Sequence, residues 1–326
     1  MFAPFAYVKP ESLDSAARHL RDENAAVHAG GTDLLGCMRD GIFRVDKVIS
    51  LSGLKNKLSG IRETSDGGLA LCALVTITEI AESGKIKNKY PGLAQAAQEV
   101  ASPQLRHQGT IGGNICQKPR CWYYRGEFDC LRKGGDICFA VNGENQFHCI
   151  FGGNGCYIVH PSDPSPALVA LDAKVHITGP KSDRTVKMSE FQVEPAEDPT
   201  RETVLEPGEM VTEIYVPPPP PGLYNSYRKV RTRRSWDFAI AGMALALDMA
   251  GGKVKDGRVV FSGVAPVPWR SKAVEEVIIG SDLNDRTIRE AAQAAVRGAE
   301  PMSKNGYKAP LLKGVVIEEL TRAREG

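Results

Sequence analysis

The chain has 326 residues, 42% of them hydrophobic and 25% charged, with a net charge of +2. These are the proportions of an ordinary globular protein with room for two or three domains. The near-neutral charge argues against nucleic acid or an anionic membrane as partner. No apolar run approaches bilayer length. The opening residues through Tyr7 lack a charged segment followed by an apolar one, so no signal peptide is expected and the chain reads as cytoplasmic. Eight cysteines in that compartment are expected as thiols, metal ligands or catalysts and not as structural disulfides.

In chain order, Phe5 to Lys9 is strand-like, and Ser12 caps a helix in which Leu13, Ala16, Ala17 and Leu20 share a face. Ala25 to His28 reads as a second strand, running into Ala29-Gly30-Gly31-Thr32-Asp33-Leu34. A helical segment and a strand at Lys47 to Leu51 complete a small β-α-β-α-β unit. Ser65-Asp66-Gly67-Gly68 between Ile61–Glu63 and Leu69–Leu74 signals a hairpin. Thr76 or Thr78 caps a short helix, and Leu93 to Val100 is another. Residues 118 to 158 are rich in Gly, Cys and aromatics with weak periodicity, the mark of a long functional loop. Regular structure resumes at Cys156 to Val159, and a charged, Pro-containing segment places a domain boundary near residue 180. The strand Met210 to Val216 is stopped by five prolines, Pro217 to Pro221. Strands around Tyr227–Val230, Phe238–Leu247 and Arg258–Val264 follow, then helices at Lys272–Ile279, Asp285–Arg297 and Leu311–Ala323. The fold class is α+β.

Two glycine loops carry the first functional signal. Without Cβ atoms, Ala29 to Leu34 lets backbone approach a diphosphate, with N–H groups aimed at its oxygens and a hydroxyl from Thr32. Gly109-Thr110-Ile111-Gly112-Gly113-Asn114 repeats that chemistry. Two such loops favour a nucleotide over two plain turns. Neither is a G-x-G-x-x-G fingerprint or a P-loop, so an NTPase is not expected. Asp163, in His160-Pro161-Ser162-Asp163, suits a ribose hydroxyl or a turn cap. The basic run Arg228 to Arg234 reads as an interface strand, with Lys229 as a donor to an isoalloxazine carbonyl. There is no Ser-His-Asp order, paired carboxylate or H-E-x-x-H, and hence no substrate chemistry of the chain's own.

The second signal is Cys116, Cys121, Cys130, Cys138, Cys149 and Cys156. The closest pair, Cys116 and Cys121, is separated by four residues, and the others lie seven or more positions apart. Zinc ribbons use tighter pairs; wide spacing suits a segment looped around an iron–sulfur cluster. Zinc, disulfides or scattered core thiols remain open on spacing alone. A cluster takes four ligands, which leaves two spectators, and Cys116 and Cys149 have the apolar neighbours of core residues. Cys37 and Cys72 read as buried small hydrophobes.

The loops 29–34 and 109–114, Arg106, the His160–Asp163 turn and the stretch from Lys229 to Asp237 resemble the FAD-binding medium subunits of the molybdenum hydroxylase family, which includes xanthine dehydrogenase, aldehyde oxidoreductase and carbon monoxide dehydrogenase. The likeness covers essentially the whole chain. It implies a two-subdomain FAD-binding α/β fold of the PCMH/VAO type, at 1–56 and 57–178, followed by a C-terminal α+β domain of the CO dehydrogenase flavoprotein type at 179–326. FAD would be held by Ala29, Gly30, Gly31, Thr32, Asp33, Leu34, Arg106, Gly109, Thr110, Ile111, Gly113, Asn114, Asp163 and Lys229. The insertion at 118–158 is similar to that of a subgroup carrying an extra [4Fe-4S] cluster, which includes the β subunit of 4-hydroxybenzoyl-CoA reductase. That likeness implies Cys121, Cys130, Cys138 and Cys156 as ligands. It further implies a molybdopterin-binding large subunit that holds the substrate, a [2Fe-2S] small subunit, an external electron acceptor or donor, and a heterotrimer or a dimer of heterotrimers. The chain would then be an electron-transfer subunit of an oxidoreductase. A twin-Arg signal on a partner would make the complex periplasmic. A self-contained FAD oxidase, or a metal-binding interaction module, are the competing readings.

Overall fold

A computed structural model describes residues 2–326. Its first layer is a parallel sheet of β1 (Ala6–Val8), β2 (Ala25–His28) and β3 (Lys47–Ser50) in the order β1-β3-β2. The helix Leu13–His19 joins the first two strands. Ser12 caps it by accepting from the Ser15 amide at 3.1 Å, and Ala16 and Ala17 bury its inner face against Ile49 and Leu51. The chain leaves β2 through the first glycine loop and enters the helix Leu34–Arg39.

The second layer is an antiparallel five-stranded sheet. It contains β4 (Ile61–Glu63), β5 (Leu69–Cys72), β6 (Lys174–Thr178), β7 (Arg184–Lys187) and β8 (Met210–Val216), in the order β4-β5-β8-β6-β7. The expected hairpin and the strand stopped by prolines are both present. Because β8 is inserted between β5 and β6, this sheet draws in chain as far as Val216, past the boundary expected near residue 180. Helices Ile77–Glu82, Pro91–Gln98 and Pro164–Ala170 share its core. Thr76 and Glu79 form a capping box at the start of the first of these.

The third layer is the antiparallel sheet β12-β11-β10-β9, formed by β9 (Leu223–Val230), β10 (Ala241–Ala250), β11 (Lys253–Ser262) and β12 (Trp269–Arg270). Strand β10 is buried on both faces, which explains its unbroken apolar run. Met243, Leu245 and Leu247 face the helices Lys272–Ile278, Asp285–Ala294 and Lys308–Glu325, while Ala244 and Ala246 face the second layer. Small residues on that second face let the layers approach. At the same junction a Cβ on Gly92 would come within 2.9 Å of the Ser226 amide, and the Gly92 N–H donates to Asn225 Oδ1 at 2.7 Å.

The second glycine loop is itself the start of a short helix, Ile111–Ile115, because Thr110 Oγ1 accepts from the Gly113 amide at 3.2 Å and caps it. Regular structure does not resume at Cys156 to Val159, which pairs in no sheet; the Cys149 amide donates to the Tyr157 carbonyl there. The His160–Asp163 turn leads into the helix Pro164–Ala170. Among the described residues, no helix is long and apolar enough to cross a membrane.

Candidate functional site

A cleft of about 550 Å³ opens between the first two layers. Ala29, Gly30, Gly31, Thr32, Asp33 and Leu34 line one wall, and Thr110, Gly112 and Gly113 the other. The two glycine loops touch: a Cβ on Gly30 would overlap the Gln108 carbonyl oxygen, and one on Gly112 would lie 2.9 Å from the Ala73 methyl. Gly31 takes φ +71°, a left-handed turn that glycine adopts without strain. The loops are chemically unequal. The amides of Gly30, Gly31, Thr32 and Asp33 have no partner among the described residues. In the second loop, Ile111 donates to Val75 O, Gly112 to Ala73 O, Gly113 to Thr110 Oγ1 and Asn114 to Thr110 O. The first loop thus keeps its amides available to a ligand, and the second is a wall held rigid by its own hydrogen bonds. Ala25, Val27, Leu51, Leu74 and Met210 give the cleft an apolar floor suited to a planar ring. Four free amides over such a floor fit an FAD.

Other expected residues are engaged elsewhere. Asp33 accepts from Arg120 Nη2 at 2.9 Å, from Arg125 Nη2 at 2.8 Å and from the Lys118 amide at 2.7 Å. Arg125 also places Nη1 2.9 Å from the sulfur of buried Cys37. The first loop is therefore tied to the start of the cysteine insertion, a link with no local signal in the sequence. Asn114 Oδ1 accepts from Ser162 Oγ at 2.6 Å. Arg106 donates to the Val100 carbonyl at 2.8 Å, and Ile111 is fully buried. Asp163 does not cap its helix. Its Oδ2 lies 2.8 Å from Lys229 Nζ and its Oδ1 accepts from Tyr227 at 2.8 Å, all three being buried. Lys229 also donates to the Glu99 carbonyl at 3.0 Å. Within the basic run, Arg228 pairs with Glu318 and Arg231 with Glu99.

Cys121, Cys130, Cys138 and Cys156 line one small cavity of about 10 Å³, walled by Tyr123, Tyr124, Leu131, Phe139, Ile158 and His148. Cys116 lines the FAD-sized cleft instead, and Cys149, 1% exposed, lies outside the four-cysteine cavity. No described group of three or more Cys, His, Asp or Glu converges as a single metal ion would require. Four thiols round one cavity with no carboxylate in its lining are the donor set that an iron–sulfur cluster takes. None of the eight cysteines is joined in a disulfide. Burial pushes the Cys121 thiol up to about 11 and raises Cys156, so ionising them needs a cationic centre. Arg132, buried and paired with Glu202, sets Nη1 4.0 Å from Cys156 Sγ.

A second cavity, of about 200 Å³, adjoins the first: Cys121 and His148 line both. Its other walls include Arg120, Trp122, Phe147, His160 and Phe238, with the Arg120 guanidinium 5.2 Å from the Phe238 ring centre. Arg120 Nε, His148 Nδ1 and His160 Nε2 are buried here without partners. Burial lowers the His148 imidazole to about 4 and His160 to about 3, so both are neutral. The insertion is clasped from the C-terminal layer: Asn305 donates to the carbonyls of His148 and Cys149 at 3.0 Å each, and Lys308 to those of Phe147 and Gly263 at 3.0 and 2.6 Å.

Residues 3–219 match the family described as the FAD binding domain in molybdopterin dehydrogenase, and residues 225–322 the CO dehydrogenase flavoprotein C-terminal domain. The chain is 34% identical to the FAD-binding subunit of an aldehyde oxidoreductase of Escherichia coli, over 95% of both chains. It is 28% identical to the medium chain of a glyceraldehyde dehydrogenase of Sulfolobus acidocaldarius, over 93% of this chain and 91% of that one. Among solved structures, a carbon monoxide dehydrogenase of Hydrogenophaga pseudoflava superposes with TM-score 0.79 at 26% identity, over 99% of both chains. With its glycine-lined cleft and its three-layer fold, the chain belongs to the family of FAD-binding medium subunits of the molybdenum hydroxylases.

Proposed function

We propose that this chain relays electrons within a larger complex, holding FAD in the cleft between its first two layers and a [4Fe-4S] cluster on Cys121, Cys130, Cys138 and Cys156. The observation that carries the reading is the gathering of those four cysteines, and neither Cys116 nor Cys149, around one cavity. Bound FAD would supply the exchange between two-electron and one-electron chemistry. The chain's own residues bind and orient: Gly30 to Asp33 offer amides to the diphosphate, Leu51 and Met210 pack under a ring, and Arg120 and Arg125 tie the loop to the cysteine insertion. Tyr123, Tyr124 and Phe139 keep water from the thiolates. Substrate chemistry falls to a molybdopterin-binding large subunit, and a [2Fe-2S] small subunit connects the two. Two of the relatives serve aldehyde-oxidising enzymes, which makes aldehydes the substrate class to assay first. Free thiols throughout suit a cytoplasmic complex, which fractionation of cells would check.

The test is the cofactor content of the purified chain. It should show a flavin band with iron and sulfide near four each per chain, a stoichiometry that follows from the cluster type. Serine at Cys121, Cys130, Cys138 or Cys156 should remove the iron and leave the flavin, while serine at Cys116 or Cys149 should leave both. Zinc without flavin, or turnover of an organic substrate by the isolated chain, would sink the relay reading.

A further inference from the structure

Cys121, His148 and Ile158 form the wall shared by the four-cysteine cavity and the second, aromatic cavity. His148 Nε2 lies 3.3 Å from Cys121 Sγ. The ring is 6% exposed, and its Nδ1 is buried with no partner. A ligating Cys121 thiolate has no proton to give, so against it Nε2 is the donor and Nε2–H points at the sulfur. The residue is held from both sides: its amide donates to the Asn145 carbonyl at 3.0 Å, and its carbonyl accepts from Asn305 Nδ2 at 3.0 Å. Asn145 and Asn305 are themselves fully buried. Asn145 is fixed in turn by the Lys304 amide at 2.9 Å and by the Ala140 carbonyl at 2.9 Å. The donor is therefore placed in advance. Among the described side chains, the other close donor to this set of sulfurs is Arg132, at 4.0 Å from Cys156.

We propose that His148 is a positioning residue for the thiolate site: its Nε2–H hydrogen-bonds the Cys121 sulfur and thereby raises the reduction potential of the cluster that Cys121 ligates. The inference rests on the iron–sulfur reading above. Its physics is that a hydrogen bond to a thiolate stabilises the more negative, reduced state of a cluster more than the oxidised one. Because the same ring closes the second cavity, the tuned sulfur is the one nearest whatever that cavity receives.

The experiment uses the full chain co-expressed with its partner subunits. Iron, sulfide and flavin are measured first, then the cluster potential by redox titration followed by EPR. His148→Phe keeps a ring but no donor, His148→Asn has an amide too short to reach, and His148→Gln has one that reaches. With iron and flavin retained, His148→Phe should lower the ratio of reduced to oxidised cluster at fixed ambient potential about tenfold, about 59 mV for a one-electron couple. His148→Gln should recover most of the shift. If His148→Phe loses iron, the Asn and Gln pair decides, with the fall expected in Asn alone. An unchanged potential in iron-replete Phe or Asn variants overturns the role of His148 and leaves the cluster reading intact. Wild-type chain without iron overturns the cluster reading itself, and the inference with it.

Discussion

Lys229 and Asp163 join the second and third layers through a buried ion pair, and breaking it should unlatch them. The side chains are 1% and 6% exposed and lie 2.8 Å apart, so solvent screens them little. At an effective dielectric of 20 their attraction is about 6 kcal/mol, most of it offset by the desolvation of both charges. Lys229→Met keeps the volume and removes the cation, leaving a carboxylate with the Tyr227 hydroxyl as its remaining partner. Burial already pushes Asp163 upward, and without Lys229 nothing of comparable strength opposes it. The variant escapes by protonating Asp163. That caps the electrostatic cost at pH 7 at about 4 kcal/mol, from about 3 pK units at about 1.36 kcal/mol each. The expected loss is about 3–4 kcal/mol at pH 7, read as a lower urea midpoint. The sign with pH follows from linkage. In the variant, the folded-state pKa lies above the unfolded value near 3.9, so stability present at low pH is lost as pH rises. In the wild type Lys229 opposes part of that upward push on Asp163. The gap between the two should therefore widen as pH rises from 5 to 7. Lys229→Met combined with Asp163→Asn should lose less than the two single changes added. A gap below about 1 kcal/mol at pH 7, or one that does not move with pH, would refute the latch.

Two further outcomes test the cleft. Gly30→Ala should force the glycine loops apart, because its methyl would overlap the Gln108 carbonyl, and purified protein should lose its flavin absorbance; Gly36→Ala, with nothing within 4 Å, should keep the flavin and gain up to about 1 kcal/mol from helix propensity. Asp33→Asn should cost about 2 kcal/mol by releasing Arg120 and Arg125, and it should lower flavin and iron content together, since one carboxylate ties the loop to the insertion; retention of both cofactors at wild-type level would break that link.

Local signals carried much of this architecture. Ser65-Asp66-Gly67-Gly68 marks a hairpin because a two-strand turn needs those conformations nearby in sequence, and Thr76 with Glu79 marks a helix start for the same reason. The glycine loops were legible as places where backbone comes close to something. What they approach is not a local property. Gly30 and Gly112 each avoid a clash with the protein itself, Gln108 and Ala73, so half of the glycine signal reports loop-on-loop packing and half a ligand. The second loop looked equivalent to the first, yet its amides are consumed by Val75 and Ala73, carbonyls more than 30 residues upstream. The same reasoning applies to the charged residues. Asp33 reads as a ligand-facing acid beside two glycines until Arg120 and Arg125 arrive from the insertion, and Lys229 reads as one cation in a basic run until Asp163 meets it across the layer junction. A side chain's chemistry can be read from its type, but its charge state and reach are set by whatever the fold brings opposite it. In this chain those partners come from segments 66 to 92 residues away for the ion pairs, and 157 residues away where Asn305 holds His148 in place. The cysteine insertion is therefore the part least readable in isolation: its one short helix and single 3₁₀ turn cannot position four thiols, and the C-terminal clasp and the Asp33 anchor must do so.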